Sequence, residues 1–221
     1  MQQENQKSHP YQVYPNWFVL EKGIFFIPAQ TKPLSSDVVI IEGEQFIWLY
    51  DVGAEERIPK QMNAYANSQN KEIKVVLSHF HPDHITNLSQ INASEVFVGK
   101  QTFSYTGVGK IITQPEEIMD GERKLHIFPI PSSHAKGCLG LEVDETFCFL
   151  GDAIYSTTKK QKNVYNAGTL KETIEVLQGI KAPYFASAHR EPFVRPKSGT
   201  MRFLKEIYQK RQKNDPYIPL E

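Results

Sequence analysis

Ser78-His79-Phe80-His81-Pro82-Asp83-His84 packs three histidines and an aspartate into the six positions 79–84. No packing requirement accounts for such a density of ionisable side chains, whereas neutral imidazole and carboxylate are the ligands that a borderline metal such as zinc prefers. The preceding residues 73–77 form a short apolar, β-branched run that reads as a buried strand. The cluster therefore stands on the loop leaving a strand, where functional groups can be presented without disturbing a core. Pro82 pushes the residue before it toward extended geometry, which keeps a helix from running through His81.

The remaining histidines extend the pattern. Of seven in the chain, His9 lies in a polar leader and His126 within the apolar run KLHIFPI. His134 (in PSSHAKG) and His189 (in FASAHRE) follow strand-like runs, as does Asp152 in FCFLGDA. Each one alone is more often an ordinary loop residue: Gly151-Asp152 and Asp51-Val52-Gly53 read equally well as strand-ending turns, and His134 beside two serines as a hydrogen-bonded loop histidine. Five histidines and two aspartates in one setting are another matter, because random placement would put several on helix faces. His126 alternates with Leu125 and Ile127, so it is expected to face solvent or a partner away from the cluster. His9 is expected to be solvated.

In this order the residues resemble the metallo-β-lactamase superfamily of metal-dependent hydrolases. Its HxHxDH pattern is His79, His81, Asp83 and His84; its next histidine matches His134, its bridging aspartate Asp152 and its last histidine His189. An aspartate in a D-x-G context matches Asp51. The resemblance covers roughly residues 37–189 and implies an α/β chain folded as a four-layer αββα sandwich. It implies two divalent metal ions, zinc foremost with iron or manganese as alternatives. His79, His81 and His134 would hold one ion and Asp83, His84 and His189 the other, with Asp152 bridging. A metal-bound hydroxide would then be the nucleophile, since a bound ion brings the pKa of its water from 15.7 toward ~7.

Two further roles come with the resemblance. Asp83 would orient that hydroxide or move its proton, and Asp51 would steady a ligand rather than bind metal. Tyr155 stands three residues beyond Asp152, a spacing similar to that of a substrate-facing tyrosine in the acyl-homoserine lactonase branch. It is expected to hydrogen-bond the substrate; the alternative is that its ring packs over the loop with the hydroxyl in water.

At the second family position diiron redox members carry glutamate, and this chain carries His81. That implies a hydrolase of the glyoxalase II-like or lactonase-like kind, acting on a small ester, thioester or lactone. The rival is a mononuclear-iron, persulfide dioxygenase-like oxidoreductase, since that branch also keeps HxHxDH; a catalytically inert scaffold is a third reading. The chain departs from the family where a glycine pair is replaced by Ile85-Thr86-Asn87, and a THTPG-like run by Ser133-His134-Ala135-Lys136-Gly137. After His189 only 32 residues remain (221 − 189), too few for the helical domain of glyoxalase II relatives.

Composition narrows the partners. Lysine plus arginine equal aspartate plus glutamate at 25 each, so no net field draws in nucleic acid or an anionic membrane. No apolar stretch approaches the ~20 residues of a membrane span. A leader without a hydrophobic segment points to the cytoplasm, and Cys138 and Cys148 read as small buried thiols there rather than a disulfide. A small-molecule substrate is the expected partner; no oligomeric state is implied. The length suits a single domain over 1–221, with 1–15 as polar leader.

Hydrophobic patterning predicts strands at 38–41, 46–50, 73–77, 96–98, 125–130, 139–143, 147–150 and 184–188. Pro59 suits the first turn of a helix burying Met62, Tyr65 and Ala66. A short helix is expected near 85–91, and loop with a short helix over 101–121. Thr169-Leu170-Lys171-Glu172 reads as a capping box opening a helix with Leu170, Ile174, Leu177 and Ile180 inward. A last helix is expected at about 200–211.

Overall fold

A computed structural model describes residues 14–220, so His9 and most of the polar leader lie outside the described residues. The chain runs β1 (Phe18–Glu21), β2 (Ile24–Ile27), β3 (Gln30–Thr31), β4 (Leu34–Ser35), β5 (Val38–Glu42), β6 (Phe46–Tyr50), α1 (Arg57–Ser68), β7 (Glu72–Val76), α2 (Pro82–Ile85) and β8 (Ala93–Val98). It continues through α3 (Lys100–Thr106), β9 (Lys110–Ile111), β10 (Glu116–Asp120), β11 (Arg123–Ile130), β12 (Cys138–Val143) and β13 (Phe147–Phe149). Then come β14 (Thr157–Lys159), β15 (Lys162–Asn166), α4 (Ala167–Gly179), β16 (Tyr184–Ala186), β17 (Val194–Pro196), α5 (Lys197–Gln209) and β18 (Tyr217–Pro219).

Two large sheets result, one seven-stranded in the order β1-β2-β5-β6-β7-β8-β9 and one six-stranded in the order β10-β11-β12-β13-β16-β17. Successive strand residues point to opposite faces, and the core follows that period. Val39, Ile41 and Trp48 pack against Leu125, Ile127, Leu141 and Phe149 between the two sheets. Their neighbours Val38, Ile40, Ile47 and Leu49 face the other way and bury Ile58, Met62 and Tyr65 of α1. On the far side Phe128, Ile130, Cys138 and Cys148 pack on Leu170, Ile174 and Leu177 of α4 and Met201, Leu204 and Ile207 of α5. Helix, sheet, sheet, helix is the expected αββα order.

Strand direction positions the site. β6, β7 and β8 are mutually parallel, so the loops after β6 and β7 leave from the same edge. In the second sheet β11 and β12 are antiparallel, as are β12 and β13, and β16 is parallel to β13. The loops after β11, β13 and β16 therefore share an edge too. The opposite edge is closed by Asp120, whose carboxylate accepts from Gln45 N (2.7 Å), Phe46 N (3.1 Å) and the Trp48 indole (2.9 Å).

Several element boundaries differ from the sequence reading, each for a local reason. The helix expected near 85–91 is the single turn α2 followed by a 3-10 turn at Leu88–Gln90. Between them Asn87 is buried and donates to Val52 O (3.1 Å) and Glu55 O (3.0 Å), which holds the chain off a continuous helix. The capping box at Thr169 does not form: α4 opens at Ala167, capped by Asn166, whose Oδ1 accepts from Thr169 N at 2.9 Å. Asparagine is at least as good a cap as threonine and stands earlier. The region 101–121 carries not only α3 but also β9 and β10; β10 (EEIMD) is an edge strand whose half-buried and exposed positions alternate while its residue types do not, with Glu116 half-buried and Met119 exposed. The predicted strand 184–188 ends at Ala186, and the last helix starts three residues early at Lys197.

Candidate metal centre

β7 ends at Val76, and the next residues are tied at once to β8 of their own sheet and to β12 of the other. Leu77 N donates to Phe97 O (3.0 Å), and Ser78 O accepts from Leu139 N (2.8 Å), so the loop is held by both sheets. His81 is extended, at φ −67° and ψ 144°, and Pro82 takes the first position of α2, where its missing N–H costs nothing. This turn swings His84 back into the protein, fully buried beside the fully buried His79.

The five histidines and two aspartates converge. One ligand atom each from His79, His81, His134 and Asp152 all lie within 4.8 Å of one another, and the same holds for Asp83, His84 and His189. Asp152 Oδ2 lies 3.3 Å from His134 Nε2 and 3.6 Å from His84 Nε2, between the two groups. His81 Nδ1 faces His134 Nε2 at 3.0 Å, and His189 Nε2 faces Asp83 Oδ2 at 2.9 Å. Ring centroids of His79 and His84 are only 4.1 Å apart.

Ring orientation follows from the partners behind the cluster. Asp51 Oδ1 accepts from Ser78 N, and its Oδ2 lies 2.7 Å from both Ser78 Oγ and His84 Nδ1. A carboxylate only accepts, so the hydrogen sits on His84 Nδ1 and the Nε2 lone pair is left pointing into the cluster. Ser78 gives its one hydroxyl hydrogen to Asp51, and its Oγ is 3.0 Å from His79 Nδ1. It must therefore accept there, and His79 too presents a free Nε2. Asp51 thus sits behind His84 as expected. The part played by Ser78 was not read from sequence, although it opens the diagnostic stretch.

Among the described residues six buried side-chain atoms have no hydrogen-bond partner, and the cluster holds three of them: His79 Nε2, His84 Nε2 and Asp152 Oδ1. Leaving one such group unpaired costs about 1–3 kcal/mol, yet three converge in one place, on atoms that can bind a cation; the other three, on Ser36, Glu55 and Thr102, stand apart from it. This donor set fits cations. The charge state agrees. Burial, reinforced by neighbouring His84, lowers the His79 pKa to about 2, and burial with His134 alongside lowers that of His81. Burial opposes charge on Asp152, but the neighbouring imidazoles of His134 and His84 outweigh it and keep the carboxyl well below its ordinary range. Burial also opposes charge on His84, yet Asp51 and Asp152 push it up to about 10. The carboxylates that draw a proton to His84 draw a metal cation to the same lone pair.

Two backbone features hold the remaining groups. Gly151 has φ +52°, and a Cβ there would lie 2.5 Å from Ser78 Cβ and Oγ, so only glycine lets the Asp152 loop close on the diagnostic stretch. His189 has φ 59°, and its N–H donates to Asp37 Oδ2 at 2.9 Å. Asp37, missed by sequence reasoning, also accepts from Ala29 N (3.1 Å). The only signal for it was a polar Ser-Ser-Asp run directly before an apolar strand.

Tyr155 comes close to the centre, its ring centroid 6.1 Å from that of His134. Its hydroxyl donates to the Ala188 carbonyl and receives Arg190 Nε at 3.3 Å. A substrate-facing role, as expected from sequence, requires that bond to Ala188 to be exchanged. His126 lies in β11 opposite Glu142 of β12, its Nδ1 3.1 Å from that carboxylate. Glu142 also accepts from Lys181 N and Ala182 N, which makes this a separate structural network. Cys138 and Cys148 are both buried free thiols.

No family model and no curated protein sequence matches this chain. Solved structures do. A rubredoxin oxygen:oxidoreductase from Desulfovibrio gigas superposes with a TM-score of 0.68 at 12% identity, covering 90% of this chain and 63% of that one. A metallo-beta-lactamase from Pontibacter korlensis gives 0.66 at 13% identity over 88% and 99% of the two chains. The B3 metallo-beta-lactamase BJP-1 of Bradyrhizobium japonicum gives 0.63 at 13% identity over 88% and 92%. The chain spans less than two thirds of the oxidoreductase but nearly all of each lactamase. Layer order, the shared edge of the strand-end loops and these likenesses agree: the chain has the metallo-β-lactamase fold.

Proposed function

We propose that the protein is a metal-dependent hydrolase with a dinuclear centre, acting on a small ester, thioester or lactone. His79, His81 and His134 would hold one divalent ion and Asp83, His84 and His189 the other, with Asp152 between them. The observation that carries this is the meeting of five imidazoles and two carboxylates with three buried ligand atoms left unpartnered. Neutral nitrogen donors with few carboxylates favour zinc. Ions held there would supply an activated water at neutral pH and a Lewis acid for the substrate carbonyl.

The chain's own groups do the rest. Asp83 stays ionised in the neutral range, since His189 and His84 outweigh the effect of its burial. It can orient a water or carry its proton. Asp51 and Ser78 fix the imidazole rings, and Asp37 fixes the backbone that presents His189. Tyr155 steadies the same segment through Ala188 and stands ready to turn toward a bound carbonyl.

An oxidoreductase is the second reading, supported by the likeness to the rubredoxin oxygen:oxidoreductase. His81, where the resemblance gives diiron redox members a glutamate, favours hydrolysis. Elemental analysis of metal-replete protein is expected to give about two zinc-like ions per chain, and Asp152→Ala to lose metal and ester or lactone hydrolysis together. One iron per chain with oxygen uptake would overturn the hydrolase in favour of the oxidoreductase.

A further inference from the structure

A groove of about 810 Å³ opens beside the centre and has His81 in its wall. That volume lies in the range of small-molecule pockets, roughly 300–1,000 Å³. Its floor is Ile85, Leu88 and Val96, half-buried side chains that rest on the core under the first sheet. Phe80 and Tyr105 stack with ring centroids 4.5 Å apart and planes 7° apart, and the Phe80 ring is 5.0 Å from that of His81. This aromatic pair leads from open solvent to a candidate metal ligand. Apart from His81, no side chain lining the groove is ionisable in the neutral range: it holds no aspartate, glutamate, lysine or arginine.

The cavity on the other flank, beside His189, differs in this respect. It is lined by Asp37, Arg190 and Glu191 together with its aromatic residues. A third space borders the centre at His134 and is lined by Lys136 and Lys159, so of the three only the His81 side presents a wall without fixed charge. Two of its residues, Ile85 and Thr86, stand where the sequence departs from the glycine pair of the family it resembles. Side chains there give the groove apolar surface that glycines would lack.

We infer that this groove binds an unbranched apolar chain of the substrate, so that the group attacked at the centre is an acyl or alkyl ester, thioester or lactone with a medium-length hydrocarbon substituent. The reaction rests on the hydrolase reading; the chain site rests on the groove alone. Continuity through Phe80 and His81 is what commits the groove to a substrate substituent, because a chain lying on the Phe80–Tyr105 wall ends beside the ligand cluster. Burying each methylene is worth ~0.8 kcal/mol, roughly fourfold in affinity.

The test separates the two readings by using two probe series. Straight-chain alkyl hydroxamates from acetyl to octanoyl are titrated calorimetrically into metal-loaded protein. The corresponding plain carboxylates are titrated into protein stripped with a chelator. In both series affinity is expected to climb with length, by at least ~50-fold between the shortest and longest hydroxamate. Val108→Asp and Tyr105→Asp place a charge at the groove mouth, at positions 49% and 62% exposed, where folding tolerates it. Both should flatten the dependence, and Val108→Leu should keep it.

A flat series in the wild type overturns the inference. So does a climb that the two charged variants leave intact, which would put the chain on the His189 or His134 side. Concentration-dependent dimerisation abolished by Tyr105→Asp, with no chain-length dependence, would give the groove to a second copy instead. If hydrolysis fails but the carboxylate series still climbs and still flattens in the variants, the groove stands and only the proposed reaction falls.

Discussion

Ser78 has one hydroxyl hydrogen and gives it to Asp51, and this fixes the tautomers of two imidazoles at once. That these histidines and aspartates belong together was legible in the sequence, because histidine clusters are rare without a purpose. Asp51 was legible through its D-x-G context, as a residue that steadies a ligand. Serine carries no such signal, since its hydroxyl finds a partner almost anywhere, and the role of Ser78 emerges only once Asp51 is seen 2.7 Å away. Tyr155 shows the converse: its spacing was informative about place, but not that its hydroxyl is directed at Ala188. The consequence for Asp51 can be measured. Asp51→Asn keeps the size and suits the φ of 60° at this position, but it removes the charge and one of the accepting oxygens. Metal affinity is expected to drop about 10- to 100-fold, as for other partners standing behind a metal-bound histidine. Competition against a chelator with known affinity reads this directly. Wild-type affinity in the variant would mean that Asp51 does not set the His84 ring.

Among the elements, those with a buried face on each side of a sheet were read well, and those at edges were not. β5, β6, β7, β11 and β12 are continuous apolar or alternating runs fixed by the core on both sides. β10, β14 and β17 are edge strands or short ribbons with polar faces, so their pairing comes from neighbours rather than from their own pattern. Helix starts were displaced wherever one hydrogen bond decided them, as Asn166 does for α4. Loops carrying the centre depend on backbone as much as on side chains, and Gly151 is the clearest case. Gly151→Ala forces a non-glycine residue into φ +52° and drives a methyl to 2.5 Å from Ser78. A left-handed alanine costs about 1–2 kcal/mol and overpacking about 1–3 kcal/mol, so a stability loss of roughly 2–5 kcal/mol is expected by urea unfolding. The ligand set should suffer with it, because Asp152 follows directly and Ser78 holds His79. Unchanged unfolding with full metal content would show that the loop yields freely and that the close approach is not needed.

For the whole molecule, the alternation of apolar residues in both sheets was enough to give the layer order, and parallel strand direction then gathers the strand ends on one edge. What pattern alone could not give is the electrostatic balance inside that edge, where seven ionisable groups share a small volume. In metal-free protein this balance makes stability depend on pH in two opposite senses. An unfolded histidine titrates near ~6.5. His79 is held at about 2, so between that value and ~6.5 the unfolded chain binds a proton that the folded chain refuses, and stability falls as pH drops. Asp152, with its lowered pKa, acts in the same direction at still lower pH. His84 is pushed up to about 10, so from ~6.5 to that value the folded chain holds a proton the unfolded chain releases. Its contribution is complete below ~6.5 and is lost as pH climbs through about 10. The two slopes meet, and chelator-stripped protein is expected to have its highest unfolding temperature near pH ~6.5, declining on both sides. With metal bound the His84 lone pair carries no proton, so the alkaline decline should vanish, while the acid side steepens because protons compete with the ions for the ligands. Thermal unfolding between pH 5 and about 10, with and without metal, tests both limbs. A stripped protein as stable at pH ~9.5 as at ~6.5 would show that Asp51 and Asp152 do not hold a proton on His84, and that the cluster is assembled without the charge pairing derived from its geometry.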